Sequence, residues 1–97
     1  MAKPSILIVE DEQSQREILC YNLEADGYEV LSAENGEEAL LVVDEAGPDI
    51  ILLDWMMPLV SGIEVCRRLK LNRKTREIPI IMLSARSEEV DLSLIHI

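Results

Sequence analysis

Phenylalanine is absent from this chain, and aromatic residues make up only 3% of it. Proteins that hold single strands by stacking need exposed rings in series, so that class is excluded. The core has to be packed from Ile, Leu, Val and Ala instead. Basic residues are also scarce, nine against nineteen acidic ones, and a net charge of −10 repels a phosphate backbone. Direct contact with nucleic acid is therefore not expected of this domain, whereas cations and basic partner surfaces fit its charge. The two cysteines, Cys20 and Cys66, have no CxxC neighbour. That argues against a disulfide framework or a zinc site, and for buried thiols in a reducing cytoplasm. The single histidine, His96, has no partners in sequence and is read as incidental. Long apolar runs are missing too: after Met1-Ala2-Lys3-Pro4 the run Ile6 to Val9 meets Glu10, Asp11 and Glu12 at once. It is too short for a signal peptide or a membrane span, so a soluble, cytoplasmic chain is expected.

What is present is a set of short aliphatic runs that end on polar groups. At 97 residues and 48% hydrophobic, the chain has the material for one small domain with a real core. The run that organises the rest is Ile50-Ile51-Leu52-Leu53, followed by Asp54 and then by Pro58. Four aliphatics without a polar break suit a parallel strand buried on both faces. Proline forces the following segment away from helix, so Asp54 is placed at the carboxyl edge of a sheet, where open α/β folds bind ligands.

Taken in order, Ile6 to Val9 is a strand that ends on carboxylates, and Gln13 to Ala25 is a helix with Arg16, Leu19, Cys20 and Leu23 on one face. Gly27 stops it. Tyr28 to Ser32 is a short strand, and Asn35-Gly36 opens a helix with Ala39, Leu40 and Val43 on one side, ended by Gly47-Pro48. After Ser61-Gly62, residues Ile63, Cys66 and Leu69 define the apolar side of a third helix. Six of the nine basic residues follow within ten positions: Arg67, Arg68, Lys70, Arg73, Lys74 and Arg76. A solvated helix end favoured by the macrodipole is the weightier reading of this segment, and a partner-docking patch is the other. Ile78-Pro79-Ile80-Ile81-Met82-Leu83 is a further strand, ending at Ser84. Alternating strands and helices imply a parallel sheet in a doubly wound α/β layer.

Three strand ends thus carry polar groups: Glu10 and Asp11, then Asp54, then Ser84. Carboxylates crowded without a counter-ion raise one another's pKa, so their convergence suggests a divalent cation. All-oxygen donors favour Mg²⁺ over zinc. A carboxylate beside such a cation can act as a nucleophile towards phosphorus, with Ser84 and backbone N–H groups taking the phosphoryl oxygens. Each group alone has a plain explanation as a turn residue or helix cap. Their joint placement is what points to chemistry.

In this combination the sequence resembles the receiver domains of response regulators. The matching pieces are Ile6 through Glu12, Asn35 through Leu40, Pro48 through Asp54, Met57-Pro58, Ser61-Gly62 and Ile78 through Ala85. The resemblance implies a flavodoxin-like sheet of order 2-1-3-4, with Asp54 receiving a phosphoryl group from the histidine of a sensor kinase. It also implies Mg²⁺ held by Glu10, Asp11, Asp54 and the backbone carbonyl of Met56, with Ser84 as the switch hydroxyl. Such domains are not enzymes in their own right. They turn a phosphoryl contact into a shift between two conformations that alters a homodimer face. Asp54 through Pro58, Tyr21 through Ala25, Cys66 through Leu69 and Thr75 through Pro79 are further similar to the phosphate-regulon branch of the family, whose members carry a winged-helix DNA-binding domain after the receiver.

Against the family pattern, the fifth strand with its Lys-Pro pair and the last helix are missing. The pattern gives way after Asp91 to Leu92-Ser93-Leu94-Ile95-His96-Ile97, which resembles translated sequencing adapter. The expected layout is a truncated receiver over 1–91 and a non-native tail over 92–97. The truncated chain is expected to take little phosphoryl label, and a restored one clear label. Two other classes are weighed: a Mg²⁺-dependent phosphohydrolase with an aspartate nucleophile, and a receiver-like module that is never phosphorylated. The first requires a general acid two positions after Asp54, where Met56 stands. Intact acids at 10, 11 and 54 argue against the second.

Overall fold

The computed structural model describes residues 3–54 and 62–83. Over these, strands β1 (Ser5–Val9), β2 (Glu29–Ala33), β3 (Ile50–Asp54) and β4 (Ile80–Leu83) alternate with helices α1 (Gln13–Ala25), α2 (Gly36–Ala46) and α3 (Gly62–Leu71). All strand pairs are parallel, and the sheet order is β2-β1-β3-β4. This is the expected doubly wound arrangement. The strand order reverses between β1 and β3, so the connections leaving these two neighbours diverge and open a crevice at their carboxyl ends.

The register shows how the core is divided. Leu7, Leu31, Ile51 and Ile80 lie side by side on one face, followed by Val9, Ala33, Leu53 and Met82. This face packs against Ala39 and Val43 of α2 and Val65, Cys66 and Leu69 of α3 to form the main core. On the other parity, Ile6 and Ile8 are buried beside α1, while Ile50, Leu52 and Ile81 are half-buried. The expectation that the Ile50–Leu53 run is buried on both faces therefore holds for only one of them among the described residues.

Helix ends follow the chemistry of their residues. Asn35 caps α2 by accepting from the Glu38 amide at 2.8 Å, and Glu38 reaches back to the Glu34 amide at 3.3 Å. Gly47 closes α2 at φ 56° and Gly27 follows α1 at φ 98°, left-handed conformations that favour glycine. Four readings shift, one of them at β4, which starts at Ile80 and not at Ile78. β2 starts one residue later than expected, at Glu29. Asp54 is the last residue of β3 rather than the first beyond it. Ile63 is 55% exposed, because the buried stripe of α3 runs Gly62, Val65, Cys66, Leu69 and leaves Ile63 off its edge. In α1 the four residues expected to face inward, Arg16, Leu19, Cys20 and Leu23, are the half-buried ones, and none is fully buried.

Candidate functional site

Glu10 is positioned by β1. Its amide donates to the Ala33 carbonyl at 3.1 Å, extending the β1–β2 ladder one residue past the strand. Because Val9 pairs with Leu53, one further step brings Glu10 level with Asp54 at the end of β3. Both are buried, at 6% and 3% exposure, and Asp11 beside them is exposed. Glu10, Asp11 and Asp54 each offer a carboxylate oxygen, and these oxygens all lie within 4.8 Å of one another. Two strands and a turn thus bring Asp54 to the sequence-distant pair Glu10 and Asp11, as read from the strand ends.

Their electrostatics are uneven. Burial pushes the Glu10 carboxyl up to about 7, against an ordinary 4.5. The Glu12 amide, donating to Glu10 Oε2 at 3.1 Å, pulls it part of the way down. Hydrogen bonds that the protonated carboxyl donates to Asp11 and Asp54, and the charge of Asp54, push it up again. A cation arriving between these oxygens would displace that proton to solvent. The turn that carries it is braced by Arg16, whose Nη1 donates to the Glu10 carbonyl at 2.9 Å, and by Ser14 Oγ, which donates to Glu12 Oε1 at 3.0 Å.

The donor set is all oxygen and negatively charged, with an exposed member at the rim. This fits a hard cation of the Mg²⁺ type, which keeps several waters and takes one or two carboxylates, better than a soft metal. Met56 and Ser84 lie outside the described residues, as do Pro58, His96 and the 92–97 segment.

Half of the six basic side chains are engaged in local structure. Arg67 and Arg68 pair with Glu64, at 2.5 and 2.9 Å. Lys70 donates to the carbonyls of Arg76 and Ile78, and Thr75 Oγ1 donates to the Leu69 carbonyl at 2.6 Å. These bonds belong to a helix end and its loop. Two contributors to the strand ends were not singled out from sequence. Arg16 reads as part of an apolar helix face, yet its head reaches the acidic turn. Asp49 accepts from the Ser5 amide at 2.7 Å and from Ser5 Oγ at 3.3 Å, tying β3 to β1 at the opposite edge of the sheet. An Asp directly before a strand is the only signal for it. No helix among the described residues is long and apolar enough to cross a membrane.

Comparison with known proteins agrees with this geometry. The family model for the response regulator receiver domain matches residues 6–94. The phosphate regulon transcriptional regulatory protein PhoB of Pseudomonas aeruginosa is 53% identical over 89 residues, covering 92% of this chain and 39% of that protein. PhoB of Rhizobium meliloti is 52% identical over 86 residues, 89% of this chain and 38% of its own length. The chain therefore spans under two fifths of these curated relatives. Among solved structures, the N-terminal domain of a response regulator receiver protein from Methanoculleus marisnigri superposes with a TM-score of 0.83 at 36% identity, over 88% of this chain and 69% of that one. Chemotaxis protein CheY4 of Vibrio cholerae does so at 0.84 and 32% identity, over 89% and 72%. With its strand order, its acidic crevice and these matches in agreement, the chain belongs to the response regulator receiver domain family.

Proposed function

We propose that Asp54 is the phosphoacceptor of this domain, and that Glu10 and Asp11, with Asp54 and the backbone carbonyl of Met56, hold a Mg²⁺ ion beside it. The observation that carries the reading is the meeting of three carboxylates within 4.8 Å at the ends of β1 and β3, one of them pushed up to about 7. The bound cation would supply charge neutralisation for the phosphoryl oxygens. In the transfer, a carboxylate oxygen of Asp54 forms the new bond to phosphorus. The phosphorus–nitrogen bond to a phosphohistidine of the sensor kinase breaks, and its electron pair leaves with the imidazole. Ser84, directly after β4, would take a phosphoryl oxygen. The domain accepts the group as a signal and is not an enzyme in its own right.

The parent protein is proposed to be a cytoplasmic, DNA-binding transcriptional regulator of a phosphate response that dimerises through its receiver. Support comes from the PhoB relatives, which extend well beyond this chain. DNA contact would be made by a separate domain, in keeping with the net charge of −10 here.

The test compares this chain, the chain extended with the C-terminal receiver segment of a PhoB relative, and the extended Asp54→Asn variant. Each is incubated with Mg²⁺ and a small phosphodonor, and intact mass is read before and after base treatment. The extended chain is expected to gain one base-labile phosphoryl group that Asp54→Asn lacks. No gain in the extended chain, or a gain that survives Asp54→Asn, overturns the assignment. Continuous release of phosphate without a labelled protein favours a hydrolase instead.

A further inference from the structure

The geometry points to Arg16 as a positioning residue for the cation. By holding the backbone of the β1–α1 turn, its guanidinium keeps the Glu10 and Asp11 carboxylates turned towards Asp54. This inference rests on the Mg²⁺ reading of the site, and its consequence runs against simple charge arithmetic. Removing a positive charge next to a cation site weakens cation binding here.

Glu10 is held through its amide, its carboxylate and its carbonyl. Its amide is tied to the Ala33 carbonyl of β2 at 3.1 Å, and its carboxylate receives the Glu12 amide at 3.1 Å. Its carbonyl receives Arg16 Nη1 at 2.9 Å across six residues. Without Arg16, the ladder would hold Glu10 from the β2 side alone. The turn leading to Asp11 and Glu12 would then be held at Glu12 alone, by its amide to Glu10, its carboxylate to Ser14 and its carbonyl to the Arg16 amide, with nothing on the Glu10 carbonyl to limit rotation there.

The acceptor that Arg16 takes distinguishes this role. A guanidinium that reaches a turn rich in carboxylates could have forked onto one of them, since bidentate pairs are its strongest option. Arg16 bonds a carbonyl instead. The arginine thereby acts on the backbone that presents the Glu10 and Asp11 carboxylates and not on a carboxylate itself. The inner face of α1 makes this possible. Arg16 shares its half-buried stripe with Leu19, Cys20 and Leu23, so its stem is packed along the sheet and its head emerges at the strand ends. A partner outside the coordination shell that orients the ligands is a recognised determinant of metal affinity.

The sign of the effect separates this role from electrostatics. Arg16→Met removes the like charge, and by Coulomb attraction alone it would tighten Mg²⁺ binding. As a brace, its loss weakens binding by about tenfold, the lower end for partners of this kind. Arg16→Lys keeps a donor that can reach a carbonyl and recovers most of that loss.

The experiment is calorimetric titration of MgCl₂ into the chain and the two variants, with urea midpoints measured without metal. The expected result is weaker binding in Arg16→Met, rescue in Arg16→Lys, and faster exchange of the Glu12 amide in Arg16→Met alone. A folded Arg16→Met that binds Mg²⁺ as tightly as the original chain, or more tightly, overturns the brace. Should Arg16→Met fail to fold, Arg16→Gln is titrated in its place. Its amide is too short to span to the same carbonyl, so the same loss is expected, and unchanged affinity in this variant overturns the brace equally. If the unsubstituted chain binds no Mg²⁺ at millimolar concentration, the metal reading falls and the brace with it. If it binds and Arg16→Met binds equally, only the brace falls.

Discussion

Asp49 and Asp54 stand at opposite ends of β3, five positions apart, and do opposite things. Asp49 is exposed, and its carboxylate accepts both the amide and the hydroxyl of Ser5. It closes the amino edge of the β1–β3 pair with bonds that any folded sheet can use. Asp54 is buried beside Glu10 and Asp11, so the same side chain on the same strand sits among like charges. One end of β3 is spent on stability and the other holds charge that burial opposes, a pattern expected where function needs a poised group. What surrounds an aspartate decides its role.

The comparison can be broken most severely at Asp54. Asp54→Asn is expected to abolish the base-labile phosphoryl gain of the extended chain and, in the original chain, to raise stability without metal by about 1 kcal/mol, through relief of repulsion with Glu10. Paired mass and urea measurements check both halves. A variant less stable than the original chain would mean that Asp54 is held as comfortably as Asp49.

Glu10 gives the next effect, and its sign follows from its pKa. The folded carboxyl titrates at about 7 and the unfolded one near 4.5, so between these values the folded state binds more protons. Stability without metal therefore falls as pH rises from about 4.5 to about 7 and is level above, by up to about 3 kcal/mol from this group. Glu10→Gln should flatten that slope and stabilise the chain near neutrality, while weakening Mg²⁺ binding about tenfold or more. Saturating Mg²⁺ should also flatten the slope in the original chain, since the ion favours the ionised carboxylate. Urea midpoints at pH 5 and 7.5, with and without Mg²⁺, decide it. A slope that is the same in Glu10→Gln would place the titrating group elsewhere.

The smallest effect belongs to the other end. Asp49→Ala is expected to lower stability by about 1 kcal/mol, the ordinary net worth of such hydrogen bonds, and to leave Mg²⁺ affinity unchanged. An altered affinity would show that the two edges of the sheet are coupled through β3.

The fold was readable to the extent that its signals were local and repeated. The bounds of α1, Gln13 to Ala25, follow from apolar spacing and Gly27, and each aliphatic run became a strand within a residue or two of its expected limits. Ile63 was misplaced because helical spacing admits two neighbouring stripes on α3. Only the packing of α2 and α3 against the sheet selects the one with Val65. In the site, the acids were visible because carboxylates directly after aliphatic runs are conspicuous. Arg16 and Asp49 were not, because each acts through a backbone or a partner far along the chain: Arg16 on the Glu10 carbonyl, Asp49 on Ser5, 44 residues away.

The order of apolar and polar residues alone settled that this chain makes parallel strands separated by helices, and that acids stand where the strands stop. Periodicity and turn chemistry are properties of neighbours in sequence, so they can be read there. Which strands are adjacent, and hence that Glu10 lies level with Asp54 and shares its burial, was decided by the 2-1-3-4 pairing. The lifted pKa of Glu10 and the reach of Arg16 come from that same pairing, because burial and approach between distant residues exist only once the sheet has formed.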